Sequence, residues 1–293
     1  MAIIREKLAG FFGVIKNTLG FIQNHFKAMI FLLIVCLLLS AGGNGEDNSN
    51  LVRIDLKGSI LESDAMLSAI NKASDNPKIK GVLFVVDSSG GEVTSSLEIS
   101  MAIKRLSEKK PVVAYAAGMM VSGSYYASIG ANYIIANPGS MVGSIGVIMQ
   151  TPNIEELSKK VGISQQVVKA GKYKEAGTFS RTWTQEERDT MQEMVDEMYE
   201  IFVDDIVKAR GLDKAKAGEF ADARVFIAAK AQRLGLIDAV GSIEDAKTEL
   251  LKLSNVQNPV WKEPDFIDKI GKKLAVQMSG EIASMLFGTK VYW

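Results

Sequence analysis

The chain has 293 residues, enough for one large domain or two small ones. Its 34 basic side chains balance 34 acidic ones, so no basic face for nucleic acid is expected and no nucleic-acid partner is assigned. One Cys and one His exclude an internal disulfide and a Cys/His zinc cluster, and no metal or cofactor is expected. The histidine is His25, so any nucleophilic chemistry in the body after it must use a base other than imidazole.

Residues 1–27 carry Arg5, Lys7, Lys16 and Lys27 against Glu6, with Phe11, Phe12, Ile15, Leu19, Ile22 and Phe26 at helical spacing. This reads as an interfacial amphipathic segment. Residues 28–45 are uncharged and include Cys36; as a helix they reach about 27 Å, close to the hydrocarbon thickness. Positive charge before them and Glu46 and Asp47 after them place the N-terminus in the cytoplasm and the body outside. The expectation is a transmembrane anchor; the alternative is a cleaved signal peptide with Ser40, Ala41 and Gly42 near its cleavage site.

Residues 46–253 form the expected globular domain, entered through the polar Gly/Asn linker at 42–50. A strand starts at residue 51 and a helix fills 63–73, stopped before Pro77. Residues 82–86 form a continuous apolar run, as in a strand buried on both faces. Ile99, Ala102, Ile103 and Leu106 keep helical spacing, Pro111 breaks that helix, and a strand follows at 112–115. Short strands are expected at 133–135, 145–149 and 166–168. A long helix spans 184–208, with Met191, Met194, Val195, Met198, Phe202 and Ile206 as a core-filling stripe. Helices at 223–234 and 242–253 flank a short strand at 236–237. The βαβα order predicts an α/β fold with a parallel sheet covered by helices. No internal repeat is present, and the tail at 254–293 holds an amphipathic stretch at 266–287.

Three segments carry candidate chemistry. Asp87-Ser88-Ser89-Gly90-Gly91-Glu92 joins the buried strand to a helix, and its glycine pair lets backbone N–H groups approach an oxyanion. A plain strand-to-helix turn has the same pattern. Ser122 opens a helix after the next strand, where unpaired N–H groups and the helix dipole stabilise developing negative charge; an ordinary Ser N-cap has the same position. Lys172 and Lys174 flank Tyr173. A lysine acts as base only when neutral, which requires its pKa to fall from about 10.4 to about 7–8, roughly 4 kcal/mol of desolvation or repulsion.

The ordered motifs DSSGGEV, GMMVSGSYYAS, NPGSMVGSIGVIM, KAGKYKEAGTFSR and DARVFIAAKAQRLGLIDAVG resemble the signal peptide peptidase A family, from about residue 51 to 253. The resemblance implies a Clp-protease/crotonase-like fold and a serine protease with a Ser/Lys dyad. It implies Ser122 as nucleophile, Lys174 as general base with Lys172 the fallback, Ser144 orienting the lysine, and the Gly91 and Gly123 amides as the oxyanion hole. Ser89 stands where the family often has Pro, which loosens the turn and removes no catalytic group. A single copy of the fold implies the short form, a homo-oligomeric ring of eight with Ser and Lys drawn from neighbouring subunits. The implied substrates are remnant signal peptides and similar apolar peptides. The implied location is the bacterial inner membrane, with the catalytic domain outside the cytoplasm. A crotonase-fold acyl-CoA enzyme and a non-catalytic membrane scaffold are the competing readings.

Overall fold

The structure is a computed structural model that describes residues 20–21, 23–33, 35 and 48–262. It divides into two compact units, Met1–Asn48 and Ser49–Trp293. In the first unit the described residues between 20 and 35 are helical. Residues 34 and 36–45 of the expected span lie outside the described residues, as does the stretch at 266–287. Among the described residues no helix is long and apolar enough to cross a membrane.

The second unit has the strands β1 (Leu51–Ile60), β2 (Gly81–Gly91), β3 (Val112–Val121), β4 (Tyr133–Ala136), β5 (Met141–Gly143), β6 (Val225–Ile227) and β7 (Ala239–Val240). Its helices are α1 (Asp64–Asp75), α2 (Val93–Ser107), α3 (Gly123–Ser128), α4 (Glu155–Lys160), α5 (Gln185–Arg210), α6 (Ala217–Phe220), α7 (Ala228–Arg233) and α8 (Ile243–Ser254). One sheet runs β1-β2-β3-β4-β7, all parallel, with β5 pairing parallel with the end of β3 and antiparallel with β6. The sheet is therefore mixed but dominated by parallel pairs, with helices covering it.

Strand alternation divides the core. Val82, Phe84 and Val86 pack with Ile99, Ile103 and Leu106 of α2 on one face. Leu83 and Val85 pack with Ala246 and Leu250 of α8 on the other. That explains why the run at 82–86 is apolar at every position. The helices at α1, α2, α5 and α8 stand where the spacing places them. Two start on full capping boxes, Thr184 with Glu187 and Ser242 with Asp245.

Five expectations change. No strand forms at 145–149; the pairing segment is β5, and Ser144 at φ 51 ends it. The helix expected over 223–234 begins only at α7, because Ala223 sits at φ 64 and the next residues pair with β5 as β6. Residues 166–168 form no strand, since they meet no partner edge and Val167 and Val168 are exposed. Leu236 and Ile237 are buried, but pairing begins two residues later at β7. The α5 stripe is core only in its C-terminal half, at Phe202, Val203 and Ile206, while Met194 is exposed.

Candidate active site

β3 runs six residues past the apolar stretch at 112–115 and delivers the chain directly to Ser122, the residue preceding α3. Ser122 adopts φ 53, ψ −129, a region costing a non-glycine residue about 1–3 kcal/mol. Its neighbours hold it there. The Ser122 N–H donates to the Gly143 carbonyl at 2.8 Å, and the Ser122 carbonyl accepts from the Tyr126 N–H at 3.0 Å. The hydroxyl caps no backbone N–H, so the simple N-cap reading fails and the half-buried Oγ is left available. Two other positive-φ residues adjoin this elbow. The Ser144 N–H donates to the Arg224 carbonyl at 2.8 Å, and the Ala223 N–H to the Ile145 carbonyl at 3.0 Å. Three of the four positive-φ non-glycine residues among those described thus lie on Ser122 or on the segment bracing it.

The glycine turn meets this elbow at backbone distance. Gly90 has φ 85, and a Cβ on it would stand 2.6 Å from the Gly123 nitrogen. A Cβ on Gly123 would stand 3.3 Å from the Gly91 nitrogen and collide with Ser96 Oγ. Only glycine permits this approach. The Glu92 N–H donates to the Ile60 carbonyl of β1 at 2.8 Å, so alternation turns the Gly91 N–H the other way, toward the elbow. The Gly123 N–H is the first of α3 and has no partner within its helix. The Gly91 and Gly123 amides thus stand close together beside Ser122. Glu92 occupies the start of α2, accepting from the Thr94 and Ser95 N–H groups, bonds that hold its carboxyl down at about 2.

Gly91, Ser122 and Gly123 line one cleft, whose apolar wall is Val93, Leu97, Val147, Met198, Ile201 and Phe202. Helical spacing marks Met198 and Phe202 of α5 only as core filler, and both line this wall. Tyr126 also lines the cleft. Its ring packs edge-on against Phe202 at 4.8 Å, and its hydroxyl donates to Asp205. Burial and that carboxylate push the phenol up, so it stays protonated.

Lys174 lies elsewhere in the single chain. It sits exposed in the turn at 171–177, outside the cleft lining, and its ammonium makes no hydrogen bond or ion pair with a described residue. Ser144 is half-buried near the elbow, and the structure brings neither Lys174 nor Ser122 to its hydroxyl. The fallback, Lys172, is paired with Glu186 at 2.9 Å; that bond raises its pKa, the wrong direction for a base. Lys110 is shifted down by burial, but it donates to the Ala73 and Asn76 carbonyls near the end of α1. Among the described residues no group of three His, Cys, Asp or Glu side chains is placed to hold a metal.

Fold and site together define an α/β protein with a strained serine at a strand-to-helix elbow, close to two glycine amides. The sequence model of peptidase family S49 matches residues 104–257, more than half the chain. Two proteins named as proteases are each 40% identical to it. One, from Methanocaldococcus jannaschii, aligns over 66% of this chain and 62% of its own length. The other, from Synechocystis, aligns over 67% of this chain and 72% of its own. A protein of Enterococcus faecium named as a signal peptide peptidase SppA is 30% identical over 71% of this chain and 64% of its own length. The chain thus spans less than two thirds of the archaeal and enterococcal relatives. It belongs to peptidase family S49. The family match takes in Ser122, Gly123, Ser144 and Lys174, while Gly91 precedes it.

Proposed function

We propose that the chain is a serine endopeptidase of Clp-protease/crotonase-like fold, with Ser122 as nucleophile. The observation that carries this is the elbow: an uncapped Ser122 hydroxyl at φ 53, beside the Gly91 and Gly123 amides, at the head of an apolar cleft. Ser122 Oγ bonds to the peptide carbonyl carbon as a neutral amine takes its proton. The two amides hold the oxyanion, where one donor is worth about 100–1000-fold in rate. Collapse breaks the C–N bond, the ammonium protonates the leaving amine, and water releases the acyl group by the reverse path.

The proposed base is Lys174, oriented by Ser144. Because Lys174 is exposed within one chain, the dyad requires a second copy: Lys174 of one subunit serves Ser122 of its neighbour, in a homo-oligomeric ring of eight. Supporting this are exposed apolar side chains in the same segment of the chain, Ile148, Ile163, Val168 and Phe179. Contact with a neighbour would also dry the amine, as a lysine base needs. The apolar cleft suits aliphatic side chains, and the substrates proposed are remnant signal peptides, the substrate named for the Enterococcus relative. Residues 28–45 are the proposed membrane anchor, holding the body outside the cytoplasm at a bacterial inner membrane.

A fluorophosphonate probe tests the nucleophile. Labelling followed by peptide mass mapping is expected to place the adduct on Ser122, with an apolar fluorogenic peptide cleaved by the unlabelled protein. An adduct on another serine, or no adduct and no cleavage, overturns the reading.

A further inference from the structure

We propose that Ser124 is a positioning residue that locks the glycine turn onto the nucleophile elbow; this deepens the peptidase reading and rests on it. The pairing of β2 with β3 fails just where the site is built. Val86 pairs with Ala116, but the next partners are Ser88 and Met120, so β3 spends two extra residues there. The bulge carries the end of β3 toward the cleft, and it interrupts the regular ladder that would otherwise fix the two strand ends relative to each other.

Side chains supply the missing connection. Asp87 accepts from the Met119 N–H at 3.0 Å inside the bulge. Beyond it, Ser124 is fully buried, and its Oγ joins both turns. It donates to the Ser88 carbonyl at 2.7 Å, with the Val121 carbonyl a second acceptor at 2.9 Å, and it accepts from the Val121 N–H at 2.9 Å. Ser88, itself fully buried, then accepts from the Gly90 N–H at 3.2 Å through its own hydroxyl. A continuous path thus runs from the residue before Ser122, through Ser124 and Ser88, to the residue before Gly91.

The two ends of this path are the neighbours of the nucleophile and of one oxyanion donor. Their separation decides whether both amides point at one oxygen. Such donors work at about 2.7–3.1 Å from the oxyanion, and a misplacement of about 1 Å costs on the order of 100-fold. Ser124 touches neither substrate nor reacting atoms. Its effect falls on the transition state, where the oxyanion exists, and not on ground-state binding in the apolar cleft.

The test compares wild type and Ser124→Ala for hydrolysis of an apolar fluorogenic peptide and for binding of a peptide boronate, which forms a tetrahedral adduct with the serine. Circular dichroism and thermal melting establish that each protein is folded. The expected result is a fall in kcat of about 10–100-fold with KM within about twofold, and boronate affinity falling by the same factor as kcat/KM. A folded Ser124→Ala with unchanged kcat and boronate affinity overturns the inference, whatever its melting temperature. Should Ser124→Ala not fold, Ser88→Ala breaks the same path at its other serine, and the same two outcomes decide. A wild type that neither cleaves the peptide nor binds the boronate overturns the peptidase reading and this inference with it; an active wild type with an unimpaired variant overturns the inference alone.

Discussion

The elbow at the end of β3 and the excursion at residues 145–182 are built on opposite principles. At the elbow one chain completes everything: Ser122, Gly91 and Gly123 are held by backbone bonds, a buried serine pair and a close glycine contact. In the excursion only α4 is regular, and apolar side chains stand in water, with Val168 fully exposed, Ile148 at 83% and Ile163 at 62%. Lys174 belongs to this second region. A folded chain rarely leaves such a surface uncovered unless something else covers it. The proposed nucleophile and oxyanion donors are thus held by one chain, and the proposed base is carried where one chain leaves apolar surface uncovered.

The sharpest way to break this comparison is to remove one proposed catalytic group from each region. Ser122→Ala is expected to lower peptide hydrolysis by about 10⁴–10⁶-fold with the fold intact by circular dichroism, since nucleophile removal costs about that much in serine proteases. Lys174→Ala is expected to lose at least about 10³-fold, while Lys172→Ala, already paired with Glu186, stays within about threefold. If the two regions meet across subunits, mixing Ser122→Ala with Lys174→Ala before assembly restores activity at about a quarter of the sites in a ring. Mixtures as dead as either parent would confine the dyad to one chain or remove Lys174 from it.

Much of the first region was legible in the residues. The glycine pair after a wholly apolar run and a serine opening the next helix mark two turns at neighbouring strand ends, and parallel order brings those ends together. What was not legible is the strain at Ser122. It comes from the bulge between Val86–Ser88 and Ala116–Met120 and from the bond to Gly143, neither of which has a local signature. In the second region apolarity misled. The run at 145–149 looks like a strand, yet Ser144 at positive φ and exposed Ile148 show that it leaves the sheet. Met198 and Phe202 belong to the stripe that helical spacing marks as core, yet both also line the cleft. Helical spacing says which residues share a face, and only the tertiary fold says what that face meets.

A smaller effect sharpens the second half of the comparison. Ile163→Asp and Val168→Asp place charge on the exposed apolar surface without touching the elbow. Each is expected to shift the assembly toward smaller species in analytical ultracentrifugation and to lower activity at micromolar protein by about tenfold, with added protein restoring it by mass action. Unchanged sedimentation in both variants would show that this surface is not what one copy offers to another.

The smallest effect concerns what holds the lysine-bearing turn to the rest of the chain. Arg181 donates to both Glu187 oxygens, at 2.9 and 2.8 Å, and to Glu175 at 3.0 Å, next to Lys174; Glu187 also closes the capping box of α5. The Arg181 guanidinium and the Thr184 N–H hold the Glu187 carboxyl at about 2, below its ordinary 4.5. A carboxyl depressed in the folded state stabilises that state above 4.5, and the contribution fades as pH falls from there toward 2. Glu187→Gln should therefore melt a few degrees below wild type, about 2–4 °C, at pH 7 and at pH 5, with the gap closing by about pH 2–3. A gap that stays constant down to that pH would mean that shape and capping hold the turn, and that the charge on Glu187 contributes nothing to it.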